Sequence, residues 1–286
     1  MQPRVGHINF LNCLPLTYSL LQCGYHKGMS LALAVPAVLN KSMLEEKLDI
    51  SPMSSIAYAR MSDKLLLLPN IGIVSDGSVQ SIILVSRKPI ENMEGEKIIL
   101  TAQSATSHCL LKIIMQKGYN CSPLYRTAKV DPVQLFAEND ESSAILLIGD
   151  DALYVNHNRM KNLYYYDLGS EWKKLTGLPM VYAVWAVNSS FLQSHKKQAE
   201  KIYIKLRGGF DNGIKNKLQV VNWAETKTPF SRQQLFNYFD VIMYNVGQKE
   251  LRALAVFYKY AVECGLLSVI PSMEMMSITN VREISR

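Results

Sequence analysis

Through the first two thirds of the chain, short β-rich apolar runs alternate with segments whose apolar residues recur at helical spacing, the pattern of βα units around mostly parallel sheets. Val5–Asn9 predicts the first strand, and Leu16, Leu20 and Leu21 mark the helix behind it. Leu31–Val35 predicts the next strand. Pro36 then stands where a first helical turn tolerates a missing N–H, and Val38, Leu39, Met43 and Leu44 follow at helical spacing. Leu48–Met53 reads as a strand, Ser54–Met61 as a short helix, and Leu65–Val74 and Ser78–Arg87 as two further strands.

Lys88–Glu96, with Pro89 and Gly95, reads as a crossover into a second lobe. There the alternation restarts: strand Lys97–Thr101, helix Ala105–Lys117, strand Ser122–Thr127, helix Val133–Glu138, strand Ala144–Ile148 and helix Asp150–Asn156. Val181–Val187, after Gly177 and Pro179, predicts a return crossing. From His195 onward the pattern is helical, most clearly at Ala253, Phe257, Tyr260 and Ala261. The expected division is 1–87 as the first part of lobe 1, 88–179 as lobe 2, and 180–286 as the return to lobe 1 with C-terminal helices. Two crossings between lobes imply a hinged cleft. The arrangement resembles the type II periplasmic-binding-protein fold, an α/β fold that holds its ligand between two lobes of sheet and helix.

Composition narrows the class. With 286 residues, 48% of them hydrophobic, the chain can bury a real core. No run reaches the ~18 to 20 apolar residues of a membrane span, so no membrane partner is expected. MQPRVGHINF shows no basic, apolar and small-residue sequence of a leader, and the expectation is a cytoplasmic protein. Cys13, Cys23, Cys109, Cys121 and Cys264 form no C-x-x-C pair and read as reduced, mostly buried thiols. In an unsecreted chain the sequons at Asn40 and Asn188 carry no weight. The net charge of +7 is concentrated after His195, where 14 Lys/Arg face 8 Asp/Glu. A solvated basic face on C-terminal helices explains it, and no motif suggests a nucleic-acid partner. The sequence assigns no oligomeric state.

Walker A, G-x-G-x-x-G, H-E-x-x-H and G-x-S-x-G signatures are absent, which argues against a nucleotide cofactor, a metal or a serine-hydrolase triad. His7, His26, His108, His157 and His195 are scattered and read as surface or structural, His7 and His108 with the most claim to a role. What recurs is small polar residues where a strand ends and a helix begins: Asn12, then Ser54 and Ser55, then Ser104–Ser107 after Thr101. Open α/β sheets bind ligands at that edge. Free N–H groups and hydroxyls there can grip a carboxylate or phosphate, although each site taken alone reads as ordinary N-capping.

Whole phrases carry a more specific signal. GHINFLNCLPL at 6 to 16, DISPMSSIAYA at 49 to 59, SDGSVQSIILVS at 75 to 86, LTAQSATSHCLLKI at 100 to 113, LLIGDDAL at 146 to 153 and DLGSEWKKLTGLPMVYAVWAV at 167 to 187 resemble chorismate dehydratases of the futalosine route to menaquinone. The resemblance runs in chain order through the first 190 residues or so. It implies conversion of chorismate, a small dicarboxylate, to 3-enolpyruvylbenzoate and water, with no cofactor. It also implies a site: Asn12 facing the reacting ring, Ser81 contributing a first-lobe hydroxyl near Ser54 and Ser55, Ser104, Ala105, Thr106 and Ser107 cradling one carboxylate, and Gly149 with Asp150 closing the second-lobe side. His7, Met53 and Cys109 depart from the family pattern and concern local packing.

The matched positions are rich in hydroxyls and amides and poor in groups that titrate near neutrality. The expected chemistry is therefore substrate-assisted, the enolpyruvyl carboxylate taking the ring proton while Asn12 and Ser81 hold the pose. Asp150 is the rival base. The competing readings are a small-anion solute-binding or sensing protein without catalysis, and the sibling pathway enzyme that acts on cyclic dehypoxanthine futalosine.

Overall fold

The computed structural model describes residues 2–101, 105–136 and 141–279. Its elements in chain order are β1 (Arg4–Ile8), α1 (Leu14–Gln22), β2 (Ser30–Ala34), α2 (Pro36–Leu44), β3 (Ile50–Ser54), α3 (Ser55–Ala59), β4 (Leu65–Ser75) and β5 (Ile82–Ser86). There follow β6 (Lys97–Leu100), α4 (Ala105–Ile113), β7 (Leu124–Thr127), β8 (Ala144–Ile148), α5 (Gly149–His157), β9 (Tyr164–Asp167), α6 (Leu168–Thr176) and β10 (Met180–Asn188). Helices α7 (Ser189–Lys215), α8 (Lys217–Glu225), α9 (Arg232–Val241) and α10 (Gln248–Glu263) complete the series. Most lie within a residue or two of the pattern-based expectation, and Pro36 opens α2 in the position that its missing N–H suits.

The chain divides into two units. One holds the described residues of Met1–Ile73, Tyr182–Gly247 and Pro271–Arg286, the other Val74–Val181 and Gln248–Ile270. Each is built on a five-stranded sheet, in the orders β2-β1-β3-β10-β4 and β7-β6-β8-β5-β9. Both sheets are mixed rather than mostly parallel. In the first, β1 runs parallel to β2 and β3, and β10 lies antiparallel to β3 with Ala183 opposite Ser54. In the second, β6 runs parallel to β7 and β8, while β5 is antiparallel to β8 and to β9. The reversed strands β5 and β10 are those that arrive from the other unit. They need no βαβ crossover and so no parallel direction.

Several expectations are corrected here. β5 belongs to the second sheet, so the first crossing falls after Ile73 and not after residue 87. Lys88–Glu96 is a connection inside the second unit, where the Ile90 N–H donates to the Tyr166 hydroxyl at 2.9 Å and Lys88 pairs with Glu96 at 2.5 Å. The chain also makes a second excursion, since Gln248–Ile270 packs with the second unit. Of the helix expected at Val133–Glu138, the described part is a run of bends, with the Val133 N–H turned onto the Asp131 carboxylate. Strand β9 and helix α6 were not anticipated.

In the first unit α1 crosses α7 at very short range. A Cβ on Gly213 would meet the Pro15 carbonyl oxygen at 2.1 Å, and one on Gly209 would meet Leu16 at 2.7 Å. Trp185 of β10 packs edge-on to Phe210 of α7, which stacks on Tyr244. Arg207 is an exception to the solvated basic face: it is buried and donates to the Asn70 carbonyl and to Asn245 Oδ1 at 2.7 Å. The segment after α10 pairs with β4, the Leu67 N–H donating to the Glu274 carbonyl and the Met276 N–H to that of Leu67.

The second unit is closed by Ile83, Val85, Ile99, Ile145, Leu147 and Val155. Helix α10 joins it through Phe257 and Tyr260, both edge-on to the buried Trp172. Lys173 and Lys249 share the Asp76 carboxylate at 2.5 and 2.8 Å. All five cysteines are free, three of them buried, and no described helix is long and apolar enough to cross a membrane.

Candidate active site

The parallel strands of the first unit end at the residues singled out by sequence. Past the end of β1, a single 3-10 turn (Leu11–Cys13) carries Asn12. Asn12 Oδ1 is buried and accepts no hydrogen bond from the described residues. An orphaned buried acceptor costs roughly 1–3 kcal/mol, a penalty that a donor on a bound molecule would relieve. The turn is fastened from behind: the Thr17 hydroxyl donates to the Cys13 carbonyl at 2.9 Å, and His7 Nε2 lies 2.7 Å from the same hydroxyl. Because the Thr17 proton is committed to Cys13, the ring must donate through Nε2–H, leaving Nδ1 as a bare, unpartnered acceptor. His7 is fully buried and its pKa is pushed down to about 3, so it is neutral.

Ser54 ends β3 and Ser55 opens α3 at the same edge, but less openly than expected. Helix α3 has only five residues and offers little dipole. Ser55 is fully buried, and Ser54 is held by Asn40, whose amide donates to the Ser54 hydroxyl and accepts from its N–H, both at 3.3 Å.

In the second unit the register puts Ser81, just before β5, beside the end of β8, since Ile82 pairs with Ile148. The Gly149 N–H donates to the Ser81 carbonyl at 2.8 Å. Strand β6 ends at the same edge and leads into α4, so the starts of α4 and α5 and the Ser81 turn share one rim of the sheet. Ser81 is therefore a residue of the second unit and not, as expected, of the first. Ser104 lies outside the described residues. Ala105, Thr106 and Ser107 open α4, with Thr106 and Ser107 buried. Gly149, at φ +64°, turns the chain from β8 into α5, and Asp150 follows half-buried in its first turn. His108 donates Nε2–H to the Thr101 carbonyl at 2.7 Å, and burial lowers its pKa against the pull of that carbonyl.

Sequence reasoning passed over the residue that organises this rim. Asp167, at the end of β9, accepts at one carboxylate oxygen from the Gly169 and Ser170 N–H groups that open α6. At the other it accepts from the Ser78 hydroxyl at 2.8 Å and the Gln80 N–H at 2.7 Å, and the Val79 N–H reaches both oxygens. Between them the chain makes a three-residue turn, the Ser81 N–H donating to the Val79 carbonyl at 2.8 Å with Gln80 at φ +62°. That positive φ is the rare, strained form of the turn, costing a non-glycine residue roughly 1–2 kcal/mol. Asn156 donates to the Gln80 carbonyl at 3.2 Å and steadies it further. The available signal was an Asp followed by Leu-Gly-Ser, a helix-capping pattern.

Among the described residues no three His, Cys, Asp or Glu side chains gather as a metal site. A cavity of about 910 Å³ lies along the edge strand β7, lined by Lys97, Arg126 and Lys129 among others, and contains none of the predicted site residues.

Two relatives resemble the chain over long stretches. A chorismate dehydratase of Thermus thermophilus is 30% identical over 201 residues, 65% of this chain and 70% of the relative. One from Campylobacter jejuni is 27% identical over 259 residues, 89% of this chain and 95% of the relative. Among solved structures, a Candida albicans protein exhibiting the generic periplasmic-binding-protein fold superposes with a TM-score of 0.68 at 11% identity, over 98% of this chain and 99% of that one. The architecture is thus the two-unit α/β periplasmic-binding-protein fold. The sequence model of the menaquinone biosynthesis family matches residues 3–263, and the chain belongs to that family.

Proposed function

We propose that this protein is a chorismate dehydratase, converting chorismate to 3-enolpyruvylbenzoate and water. The observation that carries the reading is the match to a relative of that name across 89% of the chain, with every site residue in the span of the family model. The chemistry agrees with the residues. Chorismate loses the C3 proton and the C4 hydroxyl, and aromatisation drives the step without a redox partner. Because C3 is conjugated to the ring carboxylate, loss of its proton gives a dienolate that expels hydroxide, and donors at that carboxylate stabilise the charge. The N–H groups opening α4, with Thr106 and Ser107, are suited to one carboxylate.

Neither histidine beside the described rims is an accessible base: His7 is buried and neutral, and His108 is tied to a backbone carbonyl. The base that fits is the enolpyruvyl carboxylate of the substrate. Asn12 and Ser81 then hold the ring and assist the leaving hydroxyl, and orientation is the main contribution of the protein. Ser54, Ser55, Gly149 and Asp150 serve binding. The reading carries with it a cytoplasmic protein that needs neither nucleic acid nor membrane.

Metal-stripped protein incubated with chorismate should form 3-enolpyruvylbenzoate, followed by NMR. Chorismate bound but unchanged would overturn the reading in favour of a binding protein. Chorismate neither bound nor changed would reject the substrate.

A further inference from the structure

We infer that Asp167 is a positioning residue for Ser81, acting through the strained turn at Gln80; the inference rests on the dehydratase reading for its kinetic consequence. Three observations converge. Asp167 accepts from three donors of the Ser78–Gln80 turn and from two of helix α6, more than a helix cap requires. Gln80 is held at φ +62°, a conformation that an unrestrained glutamine leaves. The next residue is Ser81, whose backbone is fixed on both sides, by its N–H to Val79 and by its carbonyl to Gly149. Strain held this way next to a reacting group keeps a short side chain in one place.

The two carboxylate oxygens have largely separable tasks. Oδ1 caps α6, Oδ2 takes the Ser78 hydroxyl and the Gln80 N–H, and the Val79 N–H is shared between them. Asp167→Asn can keep an oxygen toward Gly169 and Ser170, and asparagine is as good an N-cap as aspartate. Its NH2 group then faces the Ser78 hydroxyl and the Gln80 N–H, which lose their acceptor, while the helix stays capped and the Val79 N–H keeps the retained oxygen. Gln80→Gly supplies the same φ without strain, because glycine adopts it freely.

The test combines kinetics on chorismate with amide exchange. Asp167→Asn should melt within a few degrees of the parent, lose roughly 10- to 100-fold in kcat with KM little changed, and exchange faster at Gln80. Adding Gln80→Gly should restore several-fold of the lost kcat, which no role confined to capping α6 would produce. A kcat for Asp167→Asn within about twofold of the parent, or no recovery in the double variant, overturns the inference. If the unaltered protein leaves chorismate unchanged, the dehydratase reading fails by itself. Exchange then decides the clamp: faster exchange confined to the turn supports it, and unchanged exchange overturns it.

Discussion

His7 illustrates how a histidine beside a candidate site can serve the fold and not the chemistry. Burial lowers its pKa from 6.5 to about 3, so the folded protein refuses a proton that the unfolded chain accepts. Above about pH 6.5 both states are neutral and nothing changes; as pH falls from there toward 3, stability is lost at roughly 1.4 kcal/mol per unit. Urea denaturation at pH 7 and pH 5 should show this as a loss of about 2 kcal/mol from His7 alone. His7→Gln keeps a donor for Thr17, does not titrate, and should remove that part of the acid sensitivity. At the proposed site residues the expectation is different. Asn12→Ala or Ser81→Ala should lower kcat on chorismate by about 100-fold or more, with a melting temperature close to the parent. Near-parental turnover in both would exclude them. Asn12 and Ser81 could be put forward from the sequence because each sits in a phrase whose polar residue has no packing role to explain it. Asp167 also sits in such a phrase, but its local pattern reads only as a helix cap; its hold on Ser78–Gln80, like that of Asn40 on Ser54, depends on distant backbone that no local pattern encodes.

The elements were legible wherever hydrophobic period and punctuation agree. β1, α2, β8 and β10 have clean apolar runs or a well-placed proline, and they form as expected. Tyr164–Tyr166 offers no alternation to read, so β9 becomes a strand only through its pairing with β5. The first crossing was misplaced for a related reason. Pro89 and Gly95 are louder turn signals than Asp76-Gly77, yet loud signals mark tight connections as readily as changes of sheet. The close packing of α1 against α7 supplies a test. Gly213→Ala places a methyl against the Pro15 backbone, which cannot swing aside as a side chain would. Equilibrium unfolding should show a loss of about 1–3 kcal/mol. An unaffected variant would mean that α1 and α7 can part without penalty.

At the scale of the whole molecule, helix α10 is the element whose allegiance the sequence hides most completely. It follows three helices of the first unit and belongs to the second, where Phe257 packs on Trp172. Phe257→Ala should cost about 3–5 kcal/mol and speed amide exchange first in β5, β6 and β8, leaving the β1–β3 amides for later. The connectivity also governs how the protein comes into being. Each unit is assembled from separated stretches of chain, and the last piece of the second, α10, precedes the last described piece of the first, Pro271–Thr279. A polypeptide emerging from the ribosome therefore cannot finish one body before starting the next. A nascent chain stalled with Gly247 just outside the exit tunnel should remain open to protease in both halves. Resistance should arrive in the second half when α10 emerges, and in the first only when the Glu274–Met276 stretch can reach Leu67.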